Sequence, residues 1–328
     1  MNLLITGGCG FIGSNFIRYV LGNSEHQVIN YDALTYAAKG KNIQDMGLSK
    51  HPNYHFVRGS ITNKKRVEKT LREHSIDAVV NFAAESHVDR CIIDDAPFMR
   101  ANCEGARVLL NASRNCGKIE RFVQIGTDEV YGSLSDRDES STETKRLEAS
   151  SSYSATKAGA DLLAFSFFKT HGLPVCVTRS SNNYGPYQHP EKFIPVVITN
   201  PLEGKSVPVY GKGENIREWI HVEDNCRAIY KVLTGGKPGE IYNIGTGEKI
   251  NNIHLARIIL EELGLDEKWI KLVEDRKGHD WIYSLNCDKI KKELGWTPKI
   301  SFIDGIRKTI RWYKKNENWW RRLKNGKK

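Results

Sequence analysis

The sequence predicts an α/β fold, a doubly wound parallel sheet followed by a smaller C-terminal domain. Three observations carry this. Apolar runs of strand length alternate with helical stretches across the first 180 residues. The first of these runs leads directly into a glycine-rich turn and a helix. The residue types suited to chemistry fall just after apolar runs, where open α/β sheets collect their ligands.

The first strand spans residues 2–6 and leads into Thr6-Gly7-Gly8-Cys9-Gly10-Phe11-Ile12-Gly13 and the helical run Ser14 to Leu21. Strand, glycine turn and helix form the context of a dinucleotide fingerprint, because bare backbone lets a pyrophosphate approach the helix N-terminus. A second strand, Gln27 to Tyr31, ends in Asp32, followed by Ala33-Leu34-Thr35. An acid about 20 residues past the glycines suits the adenosine ribose hydroxyls. It repels a 2′-phosphate, so NAD is expected rather than NADP, on a Rossmann sheet.

Tyr54 to Gly59 reads as a third strand ending before Ser60-Ile61, and Ile76 to Phe82 as a fourth, with a helix over Lys64 to His74 between them. The small pair Ala83-Ala84 then admits a cofactor close to the backbone, and His87 in the same polar loop is expected to be simply hydrogen-bonded. A helix from about Ala96 to Cys116 precedes the fifth strand, Arg121 to Gly126. Residues 133–152 are polar and read as a flexible loop over the site. A sixth strand, Val175 to Arg179, closes the alternation. Five prolines between 186 and 208 then punctuate shorter elements.

The expected organisation is a cofactor-binding domain over 1–180 with a return segment at about 219–245. A substrate-binding domain covers 181–218 and 246–315, and residues 316–328 form a basic tail.

The chemistry concentrates in Thr127-Asp128-Glu129-Val130-Tyr131-Gly132, answered by Tyr153-Ser154-Ala155-Thr156-Lys157. Two adjacent acids at the end of a strand suit an acid and a base acting on one substrate. Tyr153 and Lys157, four apart, share a helical face, and an ammonium beside a phenol favours the phenolate. Taken singly, each piece is equally an acidic turn or an ordinary amphipathic helix.

Composition limits the alternatives. The chain is 39% hydrophobic and 27% charged, with a mean hydropathy of −0.49, as expected of a globular protein. No apolar run approaches the ~18 residues of a membrane span. The sequence opens on a strand rather than a leader, which reads as cytoplasmic. Seven scattered cysteines lack the spacing of a disulfide framework or a zinc site, and no metal is expected. The net charge of +10 invites a nucleic-acid reading, but residues 307–328 hold ten basic residues against Glu317 alone. The body is therefore nearly neutral and no nucleic-acid partner is expected. The end of the chain reads as a solvated, partly frayed tail whose removal leaves turnover intact.

Taken together, these motifs resemble the extended short-chain dehydrogenase/reductase family, and within it the nucleotide-sugar 4,6-dehydratases acting on dTDP-glucose. The resemblance runs to about Trp312. Beyond the stretches above it includes Glu85-Ser-His-Val-Asp-Arg90, Ser181-Asn-Asn-Tyr-Gly-Pro186, Pro190-Glu-Lys192, Tyr210-Gly-Lys-Gly213, Arg217-Glu-Trp219 and Arg276-Lys-Gly-His-Asp280. Epimerases of this superfamily lack carboxylates at the strand-five turn, and the decarboxylases that make UDP-xylose carry one; this chain has both.

The resemblance implies a mechanism in which Tyr153 takes the C4 hydroxyl proton as the C4 hydride passes to NAD. Glu129 removes the C5 proton, Asp128 protonates the departing C6 hydroxyl, and the hydride returns to C6. The product is a 4-keto-6-deoxy sugar for deoxysugar or polysaccharide synthesis. Thr127 would bond the C4 oxygen, and Lys157 would lower the Tyr153 pKa and hold the nicotinamide ribose. Cofactor contacts are further implied for Gly7, Gly10, Phe11, Ile12, Gly13, Asp32, Ala33, Leu34, Thr35, Ser60, Ile61, Ala83, Ala84, Ser86, Asn102 and Asn182. Substrate contacts are implied for Ser86, Thr127, Asn182, Glu191, Lys192, Arg217, Asn251, Arg276 and His279. The arginines suit a pyrophosphate. A homodimer joined through the helices at about 96–116 and 153–171 is implied as well.

The chain departs from the family pattern at Ser60, at Ala37-Ala38-Lys39-Gly40 and at Trp281-Ile282-Tyr283. These departures leave a UDP-sugar open, with a 4,6- or 5,6-dehydratase or an epimerase as the alternative activity. A non-catalytic NAD-binding module moored by its basic tail is the rival of another class.

Overall fold

In the computed structural model, residues 1–38, 41–276 and 278–326 are described; Lys39 and Gly40 of the second departure, Lys277 and the last two lysines lie outside them. The chain begins β1 (Asn2–Thr6), α1 (Phe11–Asn23), β2 (Gln27–Asp32), α2 (Asn42–Asp45), β3 (Tyr54–Arg58), α3 (Lys64–Glu73) and β4 (Ala78–Asn81). After α4 (Val88–Ile93), the single helix expected over 96–116 is three pieces. These are α5 (Ala96–Phe98), a π-helical turn over Met99–Gly105, and α6 (Ala106–Cys116). The wider turn accompanies Asn102, whose side chain is bonded to both backbone groups of Glu85 and to Thr156 Oγ1. Then follow β5 (Arg121–Thr127), a 3-10 turn over Asp128–Tyr131, α7 (Ser152–His171) and β6 (Val175–Ser180).

Seven parallel strands form the main sheet. Its order is β10-β6-β5-β4-β1-β2-β3, with β10 (Ile241–Ile244) arriving after an excursion through β7 (Asn182–Tyr184), α8 (Phe193–Leu202), β8 (Val207–Tyr210), β9 (Ile216–His221) and α9 (Val222–Gly235). Alternate residues of β1 show why helices cover both faces. Leu3 and Ile5 pack with Phe16 and Val20 of α1 and Ile229 and Val232 of α9. Leu4, between them, packs with Val67 of α3, Leu109 of α6 and Phe167 of α7.

The rest of the chain is β11 (Lys249–Asn251), α10 (Asn252–Glu262), β12 (Ile270–Val273), α11 (Asp288–Leu294), α12 (Phe302–Lys315) and α13 (Glu317–Asn325). A small sheet, β11-β9-β7, and the pair β12-β8 stand beside the main one. Their core is built from Ile194, Val197, Val209, Leu255, Ile259, Ile310 and Tyr313, and it includes Trp319 and Trp320.

Two expectations are corrected here. The basic end is not frayed, because α13 buries Trp319, Trp320 and Leu323. Its cations are also paired: Arg321 and Lys324 with Glu203, and Arg322 with Asp45. The polar stretch after Gly132 is a strap rather than a free loop. Leu134 and Ser141 bridge to Ile282 and Leu285, and Ser133 Oγ accepts from the Trp281 amide at 2.8 Å. Among the described residues no helix is long and apolar enough to cross a membrane, and no cluster of three metal-ligating side chains exists.

Candidate active site

A cleft of about 740 Å³ opens at the C-terminal ends of β1, β2, β4, β5 and β6. Its floor is the glycine turn. Gly7 has φ +66°, and a Cβ there would lie 2.7 Å from the Ala83 amide; a Cβ on Gly13 would lie 2.4 Å from the Gly7 carbonyl. Only bare backbone fits, and the N-terminus of the 13-residue α1 faces the opening. Asp32 stands beside the turn, its two oxygens accepting from the amides of Cys9 (2.9 Å) and Leu34 (2.7 Å). These bonds aim a carboxylate with spare lone pairs at the cleft. The cradle and the acid together fit a dinucleotide.

Gly10, Phe11, Ile12, Ala33, Thr35, Ser60, Ile61, Ala83, Ala84, Ser86 and Asn182 line the same cleft, as do Thr127, Asp128, Glu129, Tyr153, Lys157, Glu191 and Lys192. Two expected cofactor residues do not. Leu34, at φ +57°, turns to a neighbouring pocket, and Asn102 is spent on pinning Glu85 and Thr156.

The candidate reacting groups are held by local geometry. Thr127 caps the turn that follows β5, and its Oγ1 accepts from the Glu129 amide at 3.4 Å and donates to Asp128 Oδ1 at 3.2 Å. A capping box formed by Ser151 and Ser154 starts α7 and fixes Tyr153 in its first turn. Burial raises the carboxyl of Asp128 well above its usual range, and the charges of Glu129 and Glu218 push it further. Burial also raises Glu129, but Arg276, Arg217 and Lys192 oppose that rise. Both neighbouring acids are therefore raised, Asp128 well above its usual range and Glu129 against the restraint of three cations, so that Asp128 is the better suited of the two to hold a proton.

Tyr153 is raised by burial and then by the same two acids, with only its hydrogen bond to Thr127 opposing. Lys157 Nζ, on the same face of α7, donates to the Ile125 carbonyl. Burial lowers the pKa of Lys157, and Asp161, one turn further along α7, is the first influence resisting that. Asp161 in turn pairs with Arg179 at 2.9 Å, both side chains being buried.

Glu191 gathers His87 (3.5 Å), Arg90 (3.0 Å) and His189 (3.3 Å), and burial lowers the His87 pKa. Lys192 Nζ reaches the Ser86 carbonyl at 2.9 Å. Arg217 and Arg276 do not line this cleft, but both lie near enough to Glu129 to oppose its rise. Arg217 donates to the carbonyls of Ile216, Trp281 and Asp280, and Arg276 faces Asp89 at 3.7 Å. Asn251 is the N-cap of α10, accepting from the His254 amide, and His279 is bonded to Asp275 at 2.7 Å. Neither lines the cleft.

Sequence reasoning missed Asp161, although its spacing of four from Lys157 repeats the spacing of Lys157 from Tyr153. It also missed Glu218, fully buried and accepting from the amides of Thr246, Gly247 and Leu285. Tyr187, Gln188, Arg100 and Trp319 line the cleft without any local signal having marked them.

A doubly wound sheet with a glycine turn, an acid at the end of the second strand and a Tyr…Lys pair beside a strand-five acid turn defines an extended short-chain dehydrogenase/reductase. Residues 4–309 match the family described as GDP-mannose 4,6 dehydratase, and the chain belongs to it. It is 47% identical to a dTDP-glucose 4,6-dehydratase of Streptomyces niveus, over 99% of this chain and 96% of that protein. It is 49% identical to the low-salt glycan biosynthesis protein Agl12 of Haloferax volcanii, over 95% of this chain and 98% of that one. Among solved structures it resembles the dTDP-glucose 4,6-dehydratase DesIV of Streptomyces venezuelae, crystallised with NAD. That likeness has a TM-score of 0.94 and 47% identity, covering 98% of this chain and 100% of the other.

Proposed function

We propose that this protein is an NAD-dependent dehydratase that converts dTDP-glucose to dTDP-4-keto-6-deoxyglucose. The observation that carries the reading is the adjacent pair Asp128 and Glu129 in the cleft beside Tyr153, with Asp128 the more strongly raised, since elimination of water needs an acid and a base together at adjacent carbons. The similarity to dTDP-glucose 4,6-dehydratases over nearly the whole chain supports the substrate.

The glycine turn and the N-terminus of α1 would hold the pyrophosphate of NAD, and Asp32 the adenosine ribose. The chemistry supplied by NAD is a reversible hydride transfer, out from sugar C4 and back to C6. Tyr153 accepts the C4 hydroxyl proton, and Thr127 orients the C4 oxygen. Lys157, released from the Ile125 carbonyl to the nicotinamide ribose, supplies the positive charge that favours the phenolate. Glu129, steadied by Arg217, Arg276 and Lys192, removes the C5 proton that the new ketone has acidified and returns a proton to C5 when C6 is reduced. Asp128, protonated through burial and its acidic neighbours, delivers a proton to the C6 oxygen as it leaves. Glu191 and Lys192, which line the cleft, contact the nucleotide sugar.

Incubation with dTDP-glucose and, in parallel, UDP-glucose tests this by product mass. Loss of one water from the dTDP sugar is expected. Loss from the UDP sugar alone would overturn the choice of base, and an unchanged mass with both would overturn the dehydratase reading.

The protein works in the cytoplasm as a homodimer. Met99 of the π turn and Leu162 of α7 support this, being apolar and exposed on the elements expected to pair, at 52% and 60%, and the exposed Ile92 and Ile93 lie on α4 just before them. Sedimentation as a monomer at micromolar concentration would refute the dimer.

A further inference from the structure

The C-terminal helix α13 lies beyond the part of the chain matched by the family, which ends at residue 309, yet it reaches the cofactor cleft. Its Trp319 is buried and lines that cleft. The indole Nε1 donates to Asn42 Oδ1 at 3.2 Å, and the Asn42 amide donates to the Cys9 carbonyl at 3.3 Å and to Ser14 Oγ at 3.4 Å. Asn42 is 1% exposed, so both ends of its amide are committed inside the protein. One turn further along the helix, Arg322 pairs with Asp45 at 3.3 Å, fastening α13 to α2 a second time.

The opposite side of the tryptophan is equally fixed. Tyr187, another lining residue of the cleft, packs against Trp312 (4.6 Å between ring centres) and Trp319 (5.6 Å). Its backbone is left-handed, φ +68°, a conformation that costs a bulky residue energy and persists only where surroundings enforce it. A chain of contacts therefore runs from the last helix through Asn42 to the carbonyl inside the glycine turn, and through Tyr187 to the opposite wall.

We propose that α13 is a latch on the cofactor site, in which Trp319, acting through Asn42, is a positioning residue that keeps the glycine turn shaped for the dinucleotide pyrophosphate. The proposal rests on the NAD reading above. It explains how an enzyme that regenerates its cofactor each turnover retains it, and it replaces the expectation that the tail is dispensable.

The test uses full-length protein and four variants, Trp319→Phe, Asn42→Ala, the double variant and Trp320→Phe, with NAD affinity and release rate as readouts. Trp320 is the structural control: it is fully buried in the same helix, but its indole donates to the Tyr313 carbonyl and not to the loop. Trp319→Phe keeps a ring and loses the donor, so NAD binding should weaken about two- to tenfold, the range of one neutral hydrogen bond. The rate at saturating NAD and sugar should stay within about twofold, because the latch acts on binding rather than on the reacting atoms. Asn42→Ala should weaken binding similarly, and the double variant no further than Asn42→Ala alone. Trp320→Phe should lower thermal stability and leave NAD affinity unchanged.

Wild-type affinity in Trp319→Phe overturns the latch. Strictly additive losses in the double variant overturn the route through Asn42. An equal loss of affinity in Trp320→Phe assigns the effect to general destabilisation and overturns the proposal too. A wild-type protein that binds no NAD overturns the functional reading itself, whereas binding that is identical in all variants overturns only the latch.

Discussion

Replacing Asp128 by Asn separates the two halves of the reaction. The amide has the shape of the carboxyl, and its oxygen can still accept from Thr127 Oγ1, now 3.2 Å from Asp128 Oδ1. Asp128 is buried on the turn after β5 and is held by Thr127 rather than by the glycine turn, so binding of NAD and oxidation at C4 should survive. What is lost is the proton for the leaving C6 hydroxyl. A positioned acid contributes about 10²–10⁴-fold, which is about 3–5 kcal/mol of transition-state stabilisation at 1.36 kcal/mol per tenfold. Rapid mixing with dTDP-glucose should therefore show reduced nicotinamide accumulating at near wild-type rate, while release of the dehydrated product falls by at least a hundredfold. A variant that eliminates water at the wild-type rate would refute the assignment of Asp128. Loss of the oxidation step as well would show that the acid shapes the site rather than donating the proton.

Other outcomes follow from the same geometry. Because the carboxyl of Asp128 is raised by burial, the folded protein holds its proton more tightly than the unfolded chain does. Stability is therefore drained as pH climbs from the ordinary value of 3.8 toward the folded value. Asp128→Asn should accordingly melt higher than wild type, with the gap widening over that interval; a gap that narrows as pH rises would contradict the sign. Asp161→Asn strands the Arg179 guanidinium in the interior and should cost about 3–5 kcal/mol in chemical denaturation. Adding Arg179→Gln should recover part of that loss, and a double variant weaker than the single would refute the pairing. In Gly13→Ala the new methyl meets the Gly7 carbonyl at 2.4 Å, so NAD binding should weaken by about 1–3 kcal/mol, and an unchanged dissociation constant would refute the close approach.

The residues proposed to react were legible as a group because their signals are local, and the fold gathers them in one cleft. A strand end, a capped turn and the first two turns of a helix bring Thr127, Asp128, Glu129, Tyr153 and Lys157 together, and each signal lies within a few residues of the group it places. The sheet was legible for the same reason, since alternation of strand and helix is written along the chain. What the sequence hid is set by distant partners. Charge counting made the last helix look solvated, whereas Glu203 and Asp45, far away in sequence, neutralise its cations and a core formed by α8, α10 and α12 covers its tryptophans. Asn102 and Asn251 carry the same side chain as a ligand contact, yet one pins a loop and the other caps a helix. The polar strap after Gly132 looked free because its partners, residues 281–285, come more than 130 positions later.

Strand β10 has a consequence for how the protein is made. It covers the outer side of β6, but sixty residues separate the end of one from the start of the other. At ribosomal speeds of ~5–20 residues per second, β6 spends about 3–12 s as an open edge carrying Val175 and Val177. An unpaired apolar edge of that kind recruits strands from neighbouring nascent chains. Yield of soluble enzyme should therefore depend on how quickly translation delivers residues 181–244, and slow codons within that interval would lower it without altering a single contact of the finished molecule.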